Sequence, residues 1–266
     1  MGRAAVNLAA VFGLLYLFAP IFVIVLFSFN KPKGRFNAVW QEFTLDNWLH
    51  PFKDEKLVEA LLLSLRVAFI STAIATVLGT FIALALVRYR IRGGEPVNFL
   101  LILPLTAPEI VLGASLLTLF LQPTLLLFNH DFTLGVTTVI IAHVMFLVSY
   151  VAVTVRARVR GVDWTLEDAA MDLGAPPTRT FWRVTLPLIT PGILAAALLS
   201  FALSIDDFII TYFVSGPDTT TFPVRIFNQS RTATPPQINV LSTMILLVSV
   251  TVLAAGTAIG ALRSRD

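Results

Sequence analysis

Three carboxylates stand out because each lies in or beside apolar sequence. Glu109 precedes Ile-Val-Leu, and Asp206 and Asp207 follow a run that carries no charge from residue 184 onward. An ionised carboxylate is costly in an apolar medium and usually faces a cavity or a partner. Because Coulomb attraction strengthens as the local dielectric constant falls, these acids could bind a cation there. The rings of Phe208 and Tyr212 could offer cation–π faces to an ammonium group.

The same acids also have structural interpretations. Asp206 and Asp207 could lie at a solvated helix end, Glu109 could pair with Arg66, and the two aromatic rings could serve packing alone. Neighbouring residues on a helix point about 100° apart. We therefore expect only one of Asp206 and Asp207 to face a path for a cation.

The elements that must position these residues are membrane spans. The sequence is 56% hydrophobic and 13% charged, whereas soluble domains are about 25% charged. Its charged residues leave six long gaps, and about 20 apolar residues suffice to cross a bilayer. The prediction is an all-α, six-transmembrane-helix bundle that forms a single domain over residues 1–266, with spans at 5–28, 61–87, 97–121, 134–155, 188–212 and 238–262.

The distribution of basic residues predicts which way the spans face. One set of ends and loops is richer in Lys and Arg than the other; it carries Arg3, Arg88, Arg90, Arg92, Arg156, Arg158, Arg160, Arg179, Arg183, Arg263 and Arg265. The positive-inside rule places that set in the cytoplasm. Both termini and the 156–187 loop are then cytoplasmic. The long 30–58 segment is external, where Trp40 and Trp48 suit either interfacial anchoring or the docking of a partner.

Several functions lack the residues that they need. The chain has no cysteine and no G-x-x-x-x-G-K-[ST] phosphate loop, so ATP chemistry would have to come from a partner. His50, His130 and His143 lack metal-ligand spacing. Asp206 and Asp207 diverge from one helix and cannot face each other as a protease pair. We predict no catalytic residue, metal site or cofactor in this chain, and no nucleic-acid partner.

The 156–187 loop is predicted to form two short helices outside the membrane. Thr165 with Asp168 resembles a capping box, although Asp163 is a rival cap. Gly174 suits the left-handed residue that ends a helix. Thr178 could cap a second helix, which we expect to end before Pro187. The small residues leave a shallow surface, which suits either insertion into a partner's groove or a hairpin without a partner.

A fixed pattern in this loop resembles the EAA loop of ATP-binding-cassette importer permeases. In that family Glu-Ala-Ala is followed, at set spacings, by Gly, Ile and Leu-Pro. The matching positions here are Asp168, Ala169, Ala170, Gly174, Val184, Leu186 and Pro187. Asp168 replaces the usual Glu and Val184 the usual Ile. The resemblance implies that Asp168, Ala169, Ala170, Gly174, Leu186 and Pro187 couple the chain to a separate ATPase.

Downstream sequence is similar to the second permease subunit of spermidine/putrescine importers. The similar segments are 204–217, 235–241 and 108–111. The resemblance implies a bacterial inner-membrane permease for polyamines, with Glu109, Asp206, Asp207, Phe208 and Tyr212 along its substrate path. It also implies partner ATPase subunits that bind ATP and Mg²⁺, a sister permease, an external binding protein and membrane lipid. The alternatives are a secondary transporter or channel for organic cations, or the same importer class with another solute.

Overall fold

The computed structural model describes residues 2–88, 94–122 and 133–263, and every extended run of secondary structure in those ranges is helical. This confirms the all-α prediction. The helices are α1 (Arg3–Phe27), α2 (Asp46–Leu49), α3 (Glu55–Arg88), α4 (Gly94–Thr106), α5 (Glu109–Leu121), α6 (Val136–Val159), α7 (Thr165–Asp172), α8 (Pro177–Thr180), α9 (Leu186–Asp206), α10 (Ile209–Val214), α11 (Phe222–Ser230) and α12 (Pro236–Arg263). Arg90, Arg92 and Arg265, which entered the orientation argument, lie outside the described residues.

Four helical segments in the described ranges are long and apolar enough to cross a bilayer: Ala5–Phe27, Glu55–Arg88, Val136–Val159 and Pro177–Asp206. The pair formed by α4 and α5 makes a fifth if the two count as one span. The last predicted span falls on α12, whose apolar stretch Pro236–Thr251 is shorter. Several apolar spans are therefore present, and the count of six stays a prediction.

The predicted span 97–121 is not one helix. It breaks after Thr106, and α4 and α5 meet at 111°. Pro108 is the cause, because a proline disfavours the helical conformation of the residue before it and donates no backbone hydrogen bond. Pro108 itself has extended backbone, with φ −58° and ψ 131°. The break places Glu109 in the first turn of α5.

The segment before the fifth predicted span also differs from expectation. The second loop helix does not end before Pro187; instead α8 continues through a π-helical turn, Phe181–Thr185, into α9. The backbone N–H of Leu186 bonds back to the carbonyl of Phe181, so the wider turn carries the helix up to the proline. At its other end the predicted span 188–212 is interrupted, because α9 stops at Asp206 and α10 begins at Ile209.

One compact unit contains Met1–Glu59 and Arg225–Asp266. Here α1 packs against α12. Buried side-chain amides form hydrogen bonds that stabilise the segment between α1 and α2. The Nδ2 of Asn30 donates to Oδ1 of Asn37 over 2.7 Å, and Asn37 Nδ2 reaches Asn239 Oδ1 over 3.2 Å. Trp48 stacks on the Phe29 ring and donates to the Ser28 hydroxyl. Trp48 therefore packs within this unit.

The other compact unit, Ala60–Val224, has α6 at its centre. Buried aliphatic residues of α6 pack against α9 and α4, while α5 packs against α10. Helices approach closely where a glycine leaves room. A Cβ on Gly192 of α9 would lie 2.5 Å from the Cβ of Arg158 on α6. This unit contains every residue of the predicted substrate path and of the predicted coupling loop.

Candidate functional site

The predicted coupling loop ends its first helix on a left-handed glycine. Gly174 has φ +86°, and its N–H donates to the Met171 carbonyl over 2.9 Å. The N–H of Ala175 donates to the Ala170 carbonyl over 3.1 Å. These two bonds form a Schellman motif. The prediction for Gly174 is confirmed, and because nothing lies within 4 Å of a Cβ built there, only the backbone conformation requires glycine.

Asp163, the rival cap, lies one residue before the N-cap position of α7, which Trp164 occupies without a side-chain capping bond. Its Oδ1 accepts hydrogen bonds from the Thr165 N–H over 3.1 Å and from the Thr165 hydroxyl over 2.8 Å. No capping bond joins Thr165 to Asp168 in this described segment, so the capping-box prediction is wrong. The Thr165 hydroxyl, and next its backbone N–H, lower the pKa of Asp163. The negative charge of Asp163 therefore lies just before the helix begins, where the helix dipole favours it.

The outer face of the loop presents small and apolar groups. Asp168 and Ala169 are exposed, Ala170 is half-buried, and the Leu173 side chain at the tip is 90% exposed. Leu186 is half-buried and Pro187 exposed at the start of α9. Further exposed apolar side chains on this loop are Leu166, Met171 and Trp182. Such a surface is typical of a region that a partner protein covers.

Glu167, about 100° around the helix from the exposed Asp168, is buried. Its carboxylate pairs with Arg88, with an Nη2–Oε2 distance of 2.5 Å and an Nη1–Oε1 distance of 3.0 Å. The Thr185 hydroxyl donates to Oε1 of the same carboxylate. The Arg88 guanidinium also lies over the Trp164 ring, 5.5 Å from its centroid. The carboxylate of Glu167 is therefore bound within the unit, whereas Asp168 is exposed.

A cavity of about 460 Å³ brings most of the predicted path residues together. Four of them line it: Glu109, Asp206, Asp207 and Phe208. Phe146 and Tyr150 of α6 contribute aromatic wall. Tyr212 is not among the lining residues; its ring lies 5.5 Å from that of Phe208. The bend before α5 and the break after α9 both lie at this cavity. Glu109 is the first residue of α5, Asp206 is the last residue of α9, and both line the cavity.

The adjacent acids Asp206 and Asp207 both line the cavity but have different surroundings. The side chain of Asp207 is only 6% exposed. Its Oδ2 accepts from the Thr211 N–H over 2.8 Å and from the Thr211 hydroxyl over 2.7 Å, and it lies 3.3 Å from His143 Nε2. Asp207 thus caps α10. Asp206 is exposed to the cavity, and no described residue forms a hydrogen bond or ion pair with it.

The sequence argument gave His143 no role at this site and left open whether Glu109 pairs with Arg66. His143 is 1% exposed, with Nδ1 2.7 Å from the Ser204 hydroxyl and Nε2 2.9 Å from that of Thr211. Its burial on α6 was not visible from spacing to other histidines. Glu109 is exposed at the cavity, and within the described residues no ion pair joins it to Arg66.

The fold and both candidate sites define a class of protein: a polytopic α-helical permease with an exposed helical loop and an acidic cavity. Residues 75–265 match the family described as binding-protein-dependent transport system inner membrane component. The chain belongs to that family.

Its relatives and its structural neighbours are similar to it over most of its length. It is 39% identical over 235 residues to the putrescine transport system permease protein PotI of Escherichia coli K12, covering 88% of this chain and 83% of PotI. It is 36% identical over 234 residues to the spermidine/putrescine permease protein PotC of Haemophilus influenzae, covering 88% of each. The fold is similar to a bacterial alginate ABC transporter, with a TM-score of 0.72 at 14% identity over 96% of this chain and 93% of that one. An alginate transporter solved with a ligand-bound periplasmic protein has a TM-score of 0.66 at 16% identity, over 94% and 90% of the two chains.

Proposed function

We propose that this permease carries polyamines such as putrescine and spermidine across a bacterial inner membrane. The observation that carries the proposal is the acidic, aromatic-walled cavity, in a chain whose relatives are polyamine permeases. Asp206 and Glu109 offer carboxylates that no described side chain neutralises. A few acids suit transport better than a dense cage, because a transported cation must also leave.

The chemistry of a polyamine fits this cavity. Each ammonium group loses water on entering and regains favourable contacts from carboxylates, while the methylene segments between ammonium groups suit apolar wall. Phe146, Tyr150, Leu112 and Leu203 provide such wall. An ammonium group over an aromatic face gains about 0.5–2 kcal/mol.

This chain provides the path for the solute, and its partner subunits provide the energy for transport. We assign ATP and Mg²⁺ to separate ATPase subunits that bind the exposed face of α7, and no catalysis to this chain. A sister permease completes the membrane assembly, and an external binding protein delivers the solute. We assign α7 and both termini to the cytoplasm, and the positive-inside rule supports this orientation. Family membership favours this importer over a secondary transporter or channel.

Uptake in cells tests the proposal. A strain that lacks this chain but keeps its partner subunits should accumulate labelled putrescine or spermidine only when the chain is restored. Unlabelled polyamines should compete, whereas amino acids and sugars should not. Restored uptake of another solute with no polyamine competition would refute the substrate, and uptake that persists without the ATPase would refute the importer.

A further inference from the structure

A buried ion pair ties the predicted coupling helix to two other parts of the unit. Glu167 of α7 pairs with Arg88, the last residue of α3. It also accepts a hydrogen bond from Thr185, the last residue of the π-helical turn that leads into α9. One carboxylate therefore joins α7 to Arg88, which is 79 positions away in sequence, and to Thr185, which is 18 positions away.

The surroundings of Glu167 show that this contact is built rather than incidental. Its side chain is 4% exposed, whereas that of Arg88 is 38% exposed. A buried carboxylate is stable only when a cation and hydrogen-bond donors replace its water. Arg88 does this with both terminal nitrogens, a geometry that lysine cannot reproduce. Trp164, immediately before α7, covers the guanidinium.

Glu167 and the two residues after it face different sides of α7. Asp168 and Ala169 face outward, where a partner protein would bind, and Glu167 faces inward. α7 has only 8 residues, and after Leu173 the chain reverses at Gly174. A helix this short has little stability of its own. The side-chain contacts that attach α7 to the spans must therefore determine whether a force on its exposed face moves α7 and the spans together.

We propose that Glu167 is a positioning residue, which locks α7 to the ends of α3 and α9 through Arg88 and Thr185, so that movement of the partner is passed to the spans. This inference rests on the proposed function, because it assumes that an ATPase acts on α7. It concerns how strictly ATP hydrolysis is tied to transport. It does not concern which solute is carried.

The test compares transport with hydrolysis in the reconstituted complex of this permease with its partners. Glu167→Gln keeps the size of the side chain and removes its charge. We expect the solute carried per ATP hydrolysed to fall by about tenfold, within the range typical of coupling between sites. Arg88→Gln should have a similar effect, and the double variant should be no worse than the more severe single variant, because both remove one interaction.

The matched control is Glu95→Gln, which removes an exposed carboxylate in the first turn of α4. It should retain the wild-type ratio. A nitroxide label on a cysteine at Leu173 supplies a readout independent of turnover, since the natural chain contains no cysteine. The Glu167→Gln change should increase the mobility of that label while leaving unchanged the mobility of one at Ala38.

Three results would overturn the proposal: an assembled Glu167→Gln complex with the wild-type ratio, additive losses in the double variant, or unchanged mobility at Leu173. If Glu167→Gln does not assemble, Thr185→Val, which removes one donor at nearly constant volume, takes its place. Failure of both to assemble would assign the contact to folding and refute a coupling role. If the polyamine assignment is incorrect, the wild type and the Glu95→Gln control would both fail to transport polyamine.

Discussion

Asparagine substitutions at Asp206 and Asp207 should separate transport from stability. Both changes remove one charge at constant size, and the two residues are neighbours. Asp206 faces the cavity without a bond from any described residue, whereas the buried carboxylate of Asp207 caps α10 and lies beside His143. We therefore expect Asp206→Asn to abolish most uptake from a stable protein. Asp207→Asn should yield a less stable protein.

The magnitudes follow from these contacts. A hydrogen bond to a charged group contributes about 1.5–3 kcal/mol net, so losing the Asp206 carboxylate should weaken binding of an ammonium group about 10- to 150-fold. Its effect on the free energy of unfolding should stay within about 0.5 kcal/mol. At Asp207, asparagine can still cap α10 but lacks the charge, which should cost about 1–3 kcal/mol of stability.

The assay measures initial rates of polyamine uptake, normalised to the amount of permease in the membrane, together with the thermal unfolding midpoint of the purified protein. Asp218→Asn is the matched control, since Asp218 is exposed and lies outside the cavity lining. Normal uptake by Asp206→Asn together with strong loss in a stable Asp207→Asn protein would reverse the assignment. If both variants and Glu109→Gln transport normally, the acidic path is refuted.

Three further predictions concern the loop, the orientation and the core. Gly174→Val should weaken ATPase assembly or uncouple hydrolysis from uptake, because a left-handed β-branched residue costs about 1–2 kcal/mol; normal uptake and normal ATPase pull-down would contradict this. A cysteine at Thr178 should resist an impermeant thiol reagent in intact cells while one at Ala38 reacts, and free labelling at 178 would overturn the orientation. Gly192→Val should lower the thermal unfolding midpoint, because its Cβ would overlap the Cβ of Arg158 and overpacking costs about 1–3 kcal/mol; an unchanged midpoint would show that the helices can separate at no cost.

Local rules predicted much of this structure. Charge-free stretches located the long helices, because a bilayer span needs a minimum apolar length. The end of α7 at Gly174 followed from backbone sterics alone, and the structure has the left-handed φ. Pro108, by contrast, does not by itself predict the size of the bend between α4 and α5. A proline inside an apolar run is compatible with either a continuous span or a 111° bend, and packing determines which one forms.

The side-chain partners could not be predicted in the same way. The Arg88–Glu167 and His143–Asp207 contacts each join residues more than 60 positions apart, so no periodicity within one helix encodes them. The sequence argument treated Asp206 and Asp207 as neighbours on one helix that differ by about 100°, whereas α9 ends at Asp206 and Asp207 has extended backbone. It could not predict which of them meets His143, because that depends on how α6 packs against α9 and α10.

The continuous helix Pro177–Asp206 relates the two sites to each other. Thr185 holds Glu167 just before α9 begins, and Asp206 ends α9 at the cavity. The 21 residues of α9 span about 31 Å at 1.5 Å per residue. If α9, which packs against α6, moves as one body along this length, displacement of α7 should change the position of Asp206. Spatial connection alone does not establish coupling, which requires an element whose equilibrium both sites bias. If α9 is that element, Glu167→Gln should change the affinity of the cavity for a polyamine as well as the yield of transport per ATP.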